Sequence, residues 1–242
     1  EVPKNVKEMQ RQGQEMSIKY GKSQQEIAEG YEDLVKRGYT SEQALGAMRT
    51  ELEWSVASGD RFSDVVTVSS QVLEGFGMKA KDTATMTKNT KDVVNELAYA
   101  ADMTSTGFSD LGVGMSYVSS IAHQSKVSLA ETASAMGVLS NNGLEADKAG
   151  TGLRKVIQSL GDAIGKMGSK NSVLTQLGIK KSELVDANGN MRDLATCFSV
   201  INKHTKGMST VEKGILFKSL FGTTGSQAGQ ILSKNVGELK KL

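Results

Sequence analysis

The side chains that could do covalent or metal chemistry are few, because the chain has one cysteine and two histidines in 242 residues. Cys197 and His204 stand seven residues apart, two helical turns, and so share one face of a helix. A thiol beside an imidazole is the pairing that nucleophilic catalysis uses, so a Cys197–His204 dyad is geometrically open. Against it, Cys197 shares its face with Leu194, Phe198 and Ile201, which predicts a small buried hydrophobe, and no third member or oxyanion donors suggest themselves. His123, between Ala122 and Gln124, reads as a polar residue at a helix end. With so few Cys and His a zinc site of those ligands cannot form. Asp186-x-Asn188-x-Asn190 has the opening spacing of a calcium loop. Gly189 falls inside that triplet, however, and the twelfth position is Cys197 where a bidentate Glu is required, so a plain turn is the better reading. Gly222-Thr-Thr-Gly225-Ser-Gln-Ala-Gly229 lacks the Lys-Ser/Thr pair of a P-loop and follows a helical pattern, and Gly112-Val-Gly114 has no third glycine in register. Glu131, Glu145 and Asp147 sit at helix starts, where capping accounts for them. These residues predict no catalytic set, no metal site and no cofactor.

The elements that carry these residues read as helices. One proline stands where average usage would give roughly twelve, and proline breaks helices from within. Ser128-Leu-Ala-Glu131, Ser209-Thr-Val-Glu212 and Thr40-Ser-Glu-Gln43 fit the capping box that opens a helix. Behind the first, Leu129, Ala133, Met136 and Leu139 are spaced as one helical face. Leu153, Ile157, Leu160, Ile164 and Met167 step 4-3-4-3 along another. Glycine-containing breaks fall at Gly38, Gly59, Gly75, Gly77, Gly107, Asn142-Gly143 and Gly178. The prediction is an all-α, multi-helix bundle of roughly ten helices. Its one non-helical signal is the turn at Asn188-Gly189, which can close a tiny β-hairpin between Leu184 and Met191. Several glycines stand within helical stretches, each costing about 1 kcal/mol relative to alanine. Gly161 and Gly165 lie four apart, and Gly150 and Gly152 open the same helix. Close helix–helix approach is one explanation, with the Ala133, Ala135 and Gly137 helix as the expected neighbour; a loosely packed segment is the other.

Charge divides the chain in three. Residues 1–102 hold 13 basic and 17 acidic side chains, net −4; residues 103–165 hold 4 and 5, net −1; residues 166–242 hold 12 and 5, net +7. The low-charge middle is expected in the core or against a partner. The basic last third reads as a solvated lysine face, with binding to an acidic surface or to nucleic acid as the alternatives. The uncharged stretches 111–125 and 219–233 are shorter than a spanning helix needs. The sequence opens on Glu1 with no basic-then-apolar leader, which predicts a piece of a longer protein.

Several phrases from about residue 40 to residue 229 are similar, in order, to a known family. They are Asn95-Glu-Leu-Ala-Tyr-Ala-Ala-Asp102 with Phe108-Ser-Asp-Leu111; Val127-Ser-Leu-Ala-Glu-Thr-Ala-Ser-Ala-Met-Gly-Val-Leu-Ser-Asn-Asn-Gly143; Gly150-Thr-Gly-Leu153; Leu177-Gly-Ile179; Asp186-Ala-Asn-Gly-Asn-Met-Arg-Asp-Leu194; and Leu220-Phe-Gly-Thr-Thr-Gly-Ser-Gln-Ala228. Together they resemble the helical domain of the tail tape measure proteins of long-tailed bacteriophages. The resemblance divides the chain into a charged helical rod over 1–39, the tape measure domain over 40–229 with its low-charge core at 103–165, and a C-terminal helix over 230–242 that continues further. It implies a structural virion protein, not an enzyme, that sets tail length during assembly, occupies the tail tube lumen and is released ahead of the DNA. The alternatives are a cell-wall hydrolase fragment using Cys197 and His204, or a basic helical module that binds nucleic acid. The family brings no catalytic motif and no cofactor. Its implied partners are further copies of the chain (a trimer or hexamer), the tail tube protein, distal tail or baseplate proteins and tail assembly chaperones, with transient host-envelope contact and DNA met only indirectly. Its implied place is the virion tail, lumen or tip, and the host cytoplasm during assembly. On this reading Leu129, Ala133, Met136, Leu139, Leu153, Ile157, Leu160 and Ile164 form the core of a helix pair turned by Asn142-Gly143, and the stripe ending at Met167 also joins copies.

Overall fold

Helix starts follow the capping chemistry of the chain. Among residues 2–241, which the computed structural model describes, thirteen helices and no strand occur. Ten are longer than one turn and three are single turns of four residues, which makes the fold all-α. Contacts separate it into two units, residues 1–98 and residues 99–242.

The first unit holds α1 (Val2–Tyr20), α2 (Gln24–Lys36), α3 (Ser41–Ser58), α4 (Phe62–Gly75) and most of α5 (Thr83–Asp102), the division falling within α5. Thr40 and Gln43 exchange both bonds of a capping box at the start of α3, at 3.2 and 2.8 Å. A further box, Ser23 with Glu26, opens α2. The rod expected over residues 1–39 is not what forms. α1 and α2 pack on one another and on α3, burying Met16, Ile27, Tyr31 and Leu34. Gln12 donates to the Leu45 carbonyl at 3.1 Å and accepts from the Tyr31 hydroxyl, and Tyr20 donates to Glu53 at 2.5 Å. Charged surface positions hid a buried stripe spaced three and four apart, and that stripe needs α3 beside it.

The second unit holds α6 (Phe108–Gln124), α7 (Leu129–Asn141), α8 (Ala146–Gly165), the short α9 (Val173–Gln176) and α10 (Lys181–Leu184), then α11 (Leu194–His204), α12 (Thr210–Lys234) and the short α13 (Val236–Leu239). α8 lies at its centre, packed by α6, α7, α9 and α12. Leu153, Val156, Ile157 and Leu160 are fully buried along it, each stabilising by about 2 kcal/mol relative to exposure. α12 is two helices joined at Gly222, whose φ of 69° and ψ of −179° only glycine adopts without strain. Before the break, Phe217 and Phe221 stand one turn apart on the same face with rings 5.5 Å apart, and Phe198 of α11 lies 5.9 Å from Phe221. The segment expected as a helix over 230–242 is the end of α12, then Asn235, then α13. No helix of the described residues is long and apolar enough to cross a membrane.

Candidate functional site

The helix pair expected to carry the family's structural role is α7 with α8. Ala133, Met136 and Leu139 are buried on α7, while Leu129 at its first position is only half-buried. The chain reverses at Asn142-Gly143, where Gly143 takes a φ of 93° and the Leu144 amide donates back to the Leu139 carbonyl at 3.1 Å. Leu153, Ile157, Leu160 and Ile164 are all buried, and Met167 is half-buried past the helix end. This stripe is covered by helices of the same unit. Its side chains are therefore not a surface through which copies could join, and Asp at Ile157 or Leu160 would unfold the unit before it could separate an oligomer.

The close helix approach exists at two of the four glycines named from the sequence, Gly150 and Gly152, and with α6 and α12 instead of the expected α7. A Cβ on Gly150 would lie 2.2 Å from the Gly114 carbonyl oxygen of α6, and one on Gly152 would lie 2.9 Å from the Ala228 Cβ of α12. Gly161 and Gly165 meet nothing within 4 Å and face outward. Spacing alone could not tell these pairs apart, because what separates them is which face another helix covers.

Glu131 departs from its expected role. The Ser128 hydroxyl accepts from the Glu131 amide at 3.1 Å, one half of a capping box. The Glu131 carboxylate also reaches beyond its own helix start and accepts from the amide of Leu194 at the start of α11, 63 residues away. Burial pushes this carboxyl above its ordinary value, and the Leu194 bond partly offsets that. One side chain thus caps a distant helix and ties α7 to α11. Glu131→Ala is expected to cost about 2 kcal/mol, since it leaves a buried amide without its acceptor, while Ser128→Ala costs about 1 kcal/mol. Urea unfolding followed by circular dichroism checks the order of the two.

The Cys197–His204 dyad is not assembled. Cys197 is fully buried, and its thiol lies 3.4 Å from the Arg192 carbonyl. Burial, with Asp193 and Glu131 nearby, pushes that thiol up to about 12, so it is not a thiolate near neutrality. His204 is engaged elsewhere: Nδ1 donates to the Leu177 carbonyl at 3.1 Å, and Nε2 faces Glu183 Oε1 at 3.3 Å. The Asp186 carboxylate is occupied too, accepting from the amides of Asn188 and Asn190 at 2.9 and 3.0 Å. With Gly189 at a φ of 81°, this is a turn closed by one antiparallel bridge, Val185 to Met191. Among the described residues no cluster of His, Cys, Asp or Glu could hold a metal ion.

The basic last third is more organised than its sequence suggests. Lys203, Lys206, Lys213 and Lys234 line one cleft of about 700 Å³ between α11 and α12, with Phe217 in its wall and no acidic residue among those lining it. These lysines are scattered over more than thirty positions of sequence, and the break at Gly222, which folds the two arms of α12 together, brings them to one cleft.

The profile of the family described as "Phage-related minor tail protein" matches residues 10–222. The chain is 27% identical over 232 residues to the tape measure protein of Pneumococcus phage Dp-1, covering 96% of this chain and 19% of that protein. It is 28% identical over 150 residues to the probable tape measure protein of Escherichia phage P2, covering 60% of this chain and 18% of that protein. The chain thus spans about a fifth of the length of these relatives. No solved structure matches it. The match begins at residue 10, so the likeness extends into the first 39 residues and does not start at residue 40. On this match and these relatives, the chain belongs to the phage-related minor tail protein family, that of the tail tape measure proteins.

Proposed function

We propose that this chain is a folded helical segment of a tail tape measure protein, and that the whole protein occupies the tail tube lumen, sets tail length and leaves ahead of the DNA. The observation that carries the reading is the family match over residues 10–222, joined by two relatives named as tape measure proteins. The segment's role is structural. The buried thiol of Cys197 and the engaged ring of His204 leave the hydrolase alternative without a nucleophile.

Length information in such a ruler would scale with helical extent at about 1.5 Å per residue. Within each unit the helices fold back on one another, so neither unit contributes the extended helical length of a ruler, and the measuring role falls to the rest of the protein. The tube protein, distal tail proteins, assembly chaperones and further copies are the partners this reading entails.

Quantitative peptide mass spectrometry of purified tailed particles tests it. The expected result is a few copies of the chain per tail, far below the tube subunit. A ratio near one to one would make it a tube or sheath component, and absence from particles would end the virion reading.

A further inference from the structure

Three stretches of backbone wall the α11–α12 cleft. Lys203 and Lys206 come from the end of α11 and the turn after it, Lys213 from the arm of α12 before Gly222, and Lys234 from the end of the arm after it. The two arms meet closely, since a Cβ on Gly229 would lie 2.6 Å from the Phe221 ring. None of the four lysines forms an ion pair within 4 Å among the described residues. The nearby acids are engaged elsewhere. Glu212 is held in the capping box by the Ser209 amide at 2.7 Å. Glu183, on which the Lys203 charge acts, accepts from the Lys180 amide at 2.8 Å and faces His204. Four like charges around one recess repel one another, so the recess favours a ligand that brings several negative charges together.

The rest of the lining narrows the class of anion. Asn202 donates to the Ser233 carbonyl at 2.8 Å, and the Ser233 hydroxyl donates to Asn202 Oδ1 at 2.5 Å, so these two hold the floor together. The Ser199 and Thr210 hydroxyls also line the recess and form no hydrogen bond among the described residues, which leaves both as donors. No arginine is present, so nothing offers the planar fork that grips one carboxylate or phosphate by two parallel bonds. Lysine ammoniums act as point charges and are matched by density of charge. A chain of phosphates carries that density within a few ångströms. The carboxylates of a peptide stand on separate side chains, each of which must be ordered at a cost in entropy. Nucleic-acid bases find no stacking surface, because Phe217, the aromatic residue of the lining, is 3% exposed and packed on Phe221. The volume of about 700 Å³ is that of a small-molecule site.

We propose that this cleft binds a compact polyphosphate anion, its oxygens meeting Lys203, Lys206, Lys213 and Lys234 and accepting from the hydroxyls of Ser199 and Thr210. Salt screens attraction of this kind, so affinity falls as ionic strength rises. By mass action the bound anion also raises the unfolding temperature of the chain.

The probe is inorganic tripolyphosphate, titrated into the full 242-residue chain at low salt and followed by isothermal calorimetry. One saturable site is expected, and raising the salt should weaken it several-fold. Pentaglutamate and an oligothymidylate of similar charge are the comparison ligands, each expected to bind about tenfold more weakly. Lys206→Gln with Lys213→Gln should weaken tripolyphosphate about tenfold, roughly threefold for each exposed charge contact. Lys170→Gln with Lys181→Gln removes the same charge from exposed positions outside the cleft, and should change affinity by less than about twofold. All four positions are exposed, and an unchanged urea midpoint confirms that each variant folds. Equal losses in the two double variants would overturn the site in favour of a diffuse positive field. Pentaglutamate binding as tightly as tripolyphosphate would overturn the phosphate assignment, and tighter binding of the oligothymidylate would replace it with a nucleic-acid groove. No saturable binding of tripolyphosphate would overturn the proposal outright.

Discussion

Gly150→Ala is expected to destabilise residues 99–242 by about 3 kcal/mol, while Gly161→Ala on the same helix stabilises them by about 1 kcal/mol. The two substitutions add the same methyl group to the same α-helix, and intrinsic propensity favours both. They differ in what the new carbon meets. At Gly150 it would stand 2.2 Å from the Gly114 carbonyl oxygen, 3.0 Å from that carbonyl carbon and 3.1 Å from the Gly114 Cα. All three are backbone atoms, so no side-chain rotation relieves the clash, and α6 and α8 must move apart. Met115 and Val118 on α6 and Leu153 and Val156 on α8 are buried near this crossing and would lose packing as it opened. At Gly161 nothing lies within 4 Å, so only the gain in helix propensity remains. Urea unfolding monitored by circular dichroism reads both signs. Equal effects of the two substitutions would show that the α6–α8 contact does not govern the stability of this unit.

Stability of residues 1–98 is expected to fall as pH rises from about 4.5, and Glu51→Gln should remove most of that slope. Glu51 lies on α3, 1% exposed, with no hydrogen-bond partner for Oε2 among the described residues. Burial pushes its carboxyl well above the ordinary value of 4.5, and Arg37 offsets only part of this. The folded state therefore keeps a proton that the unfolded chain releases once the pH passes 4.5. Stability from this group is complete below that point and declines as pH rises toward the folded value. Tyr39, also buried, is shifted upward chiefly by burial, and so acts in the same direction at alkaline pH. Glu51→Leu removes a buried acid that lacks a full set of partners, and should stabilise the unit by about 2 kcal/mol at pH 8. Trp54, the single tryptophan, sits one turn away on α3, and its fluorescence follows the unfolding of this unit. The difference between wild type and Glu51→Gln isolates Glu51 from the other carboxylates. A pH-independent difference would contradict the buried, protonated acid.

Helix content, capping and the two turns were legible in the sequence because each depends on neighbours within a few residues. A missing proline, a hydroxyl three residues before a carboxylate, and Asn-Gly at a reversal act locally, wherever the chain later goes. The buried stripes of α7 and α8 were legible for the same reason, since helical period fixes which residues share a face. What the covered face touches was not legible. Nothing local separates Gly150, pressed on Gly114, from Gly161, open to water, nor shows that the stripe ending at Met167 is enclosed by its own unit. Glu131 has the spacing of a capping box and also reaches an amide 63 residues on. Lysines that look scattered over the last third converge on one cleft because α12 folds back on itself at Gly222 beside α11. Sequence determined the helices and the family they belong to. Tertiary structure alone decided which faces meet, because packing depends on residues far apart in the chain, and spacing carries no record of them.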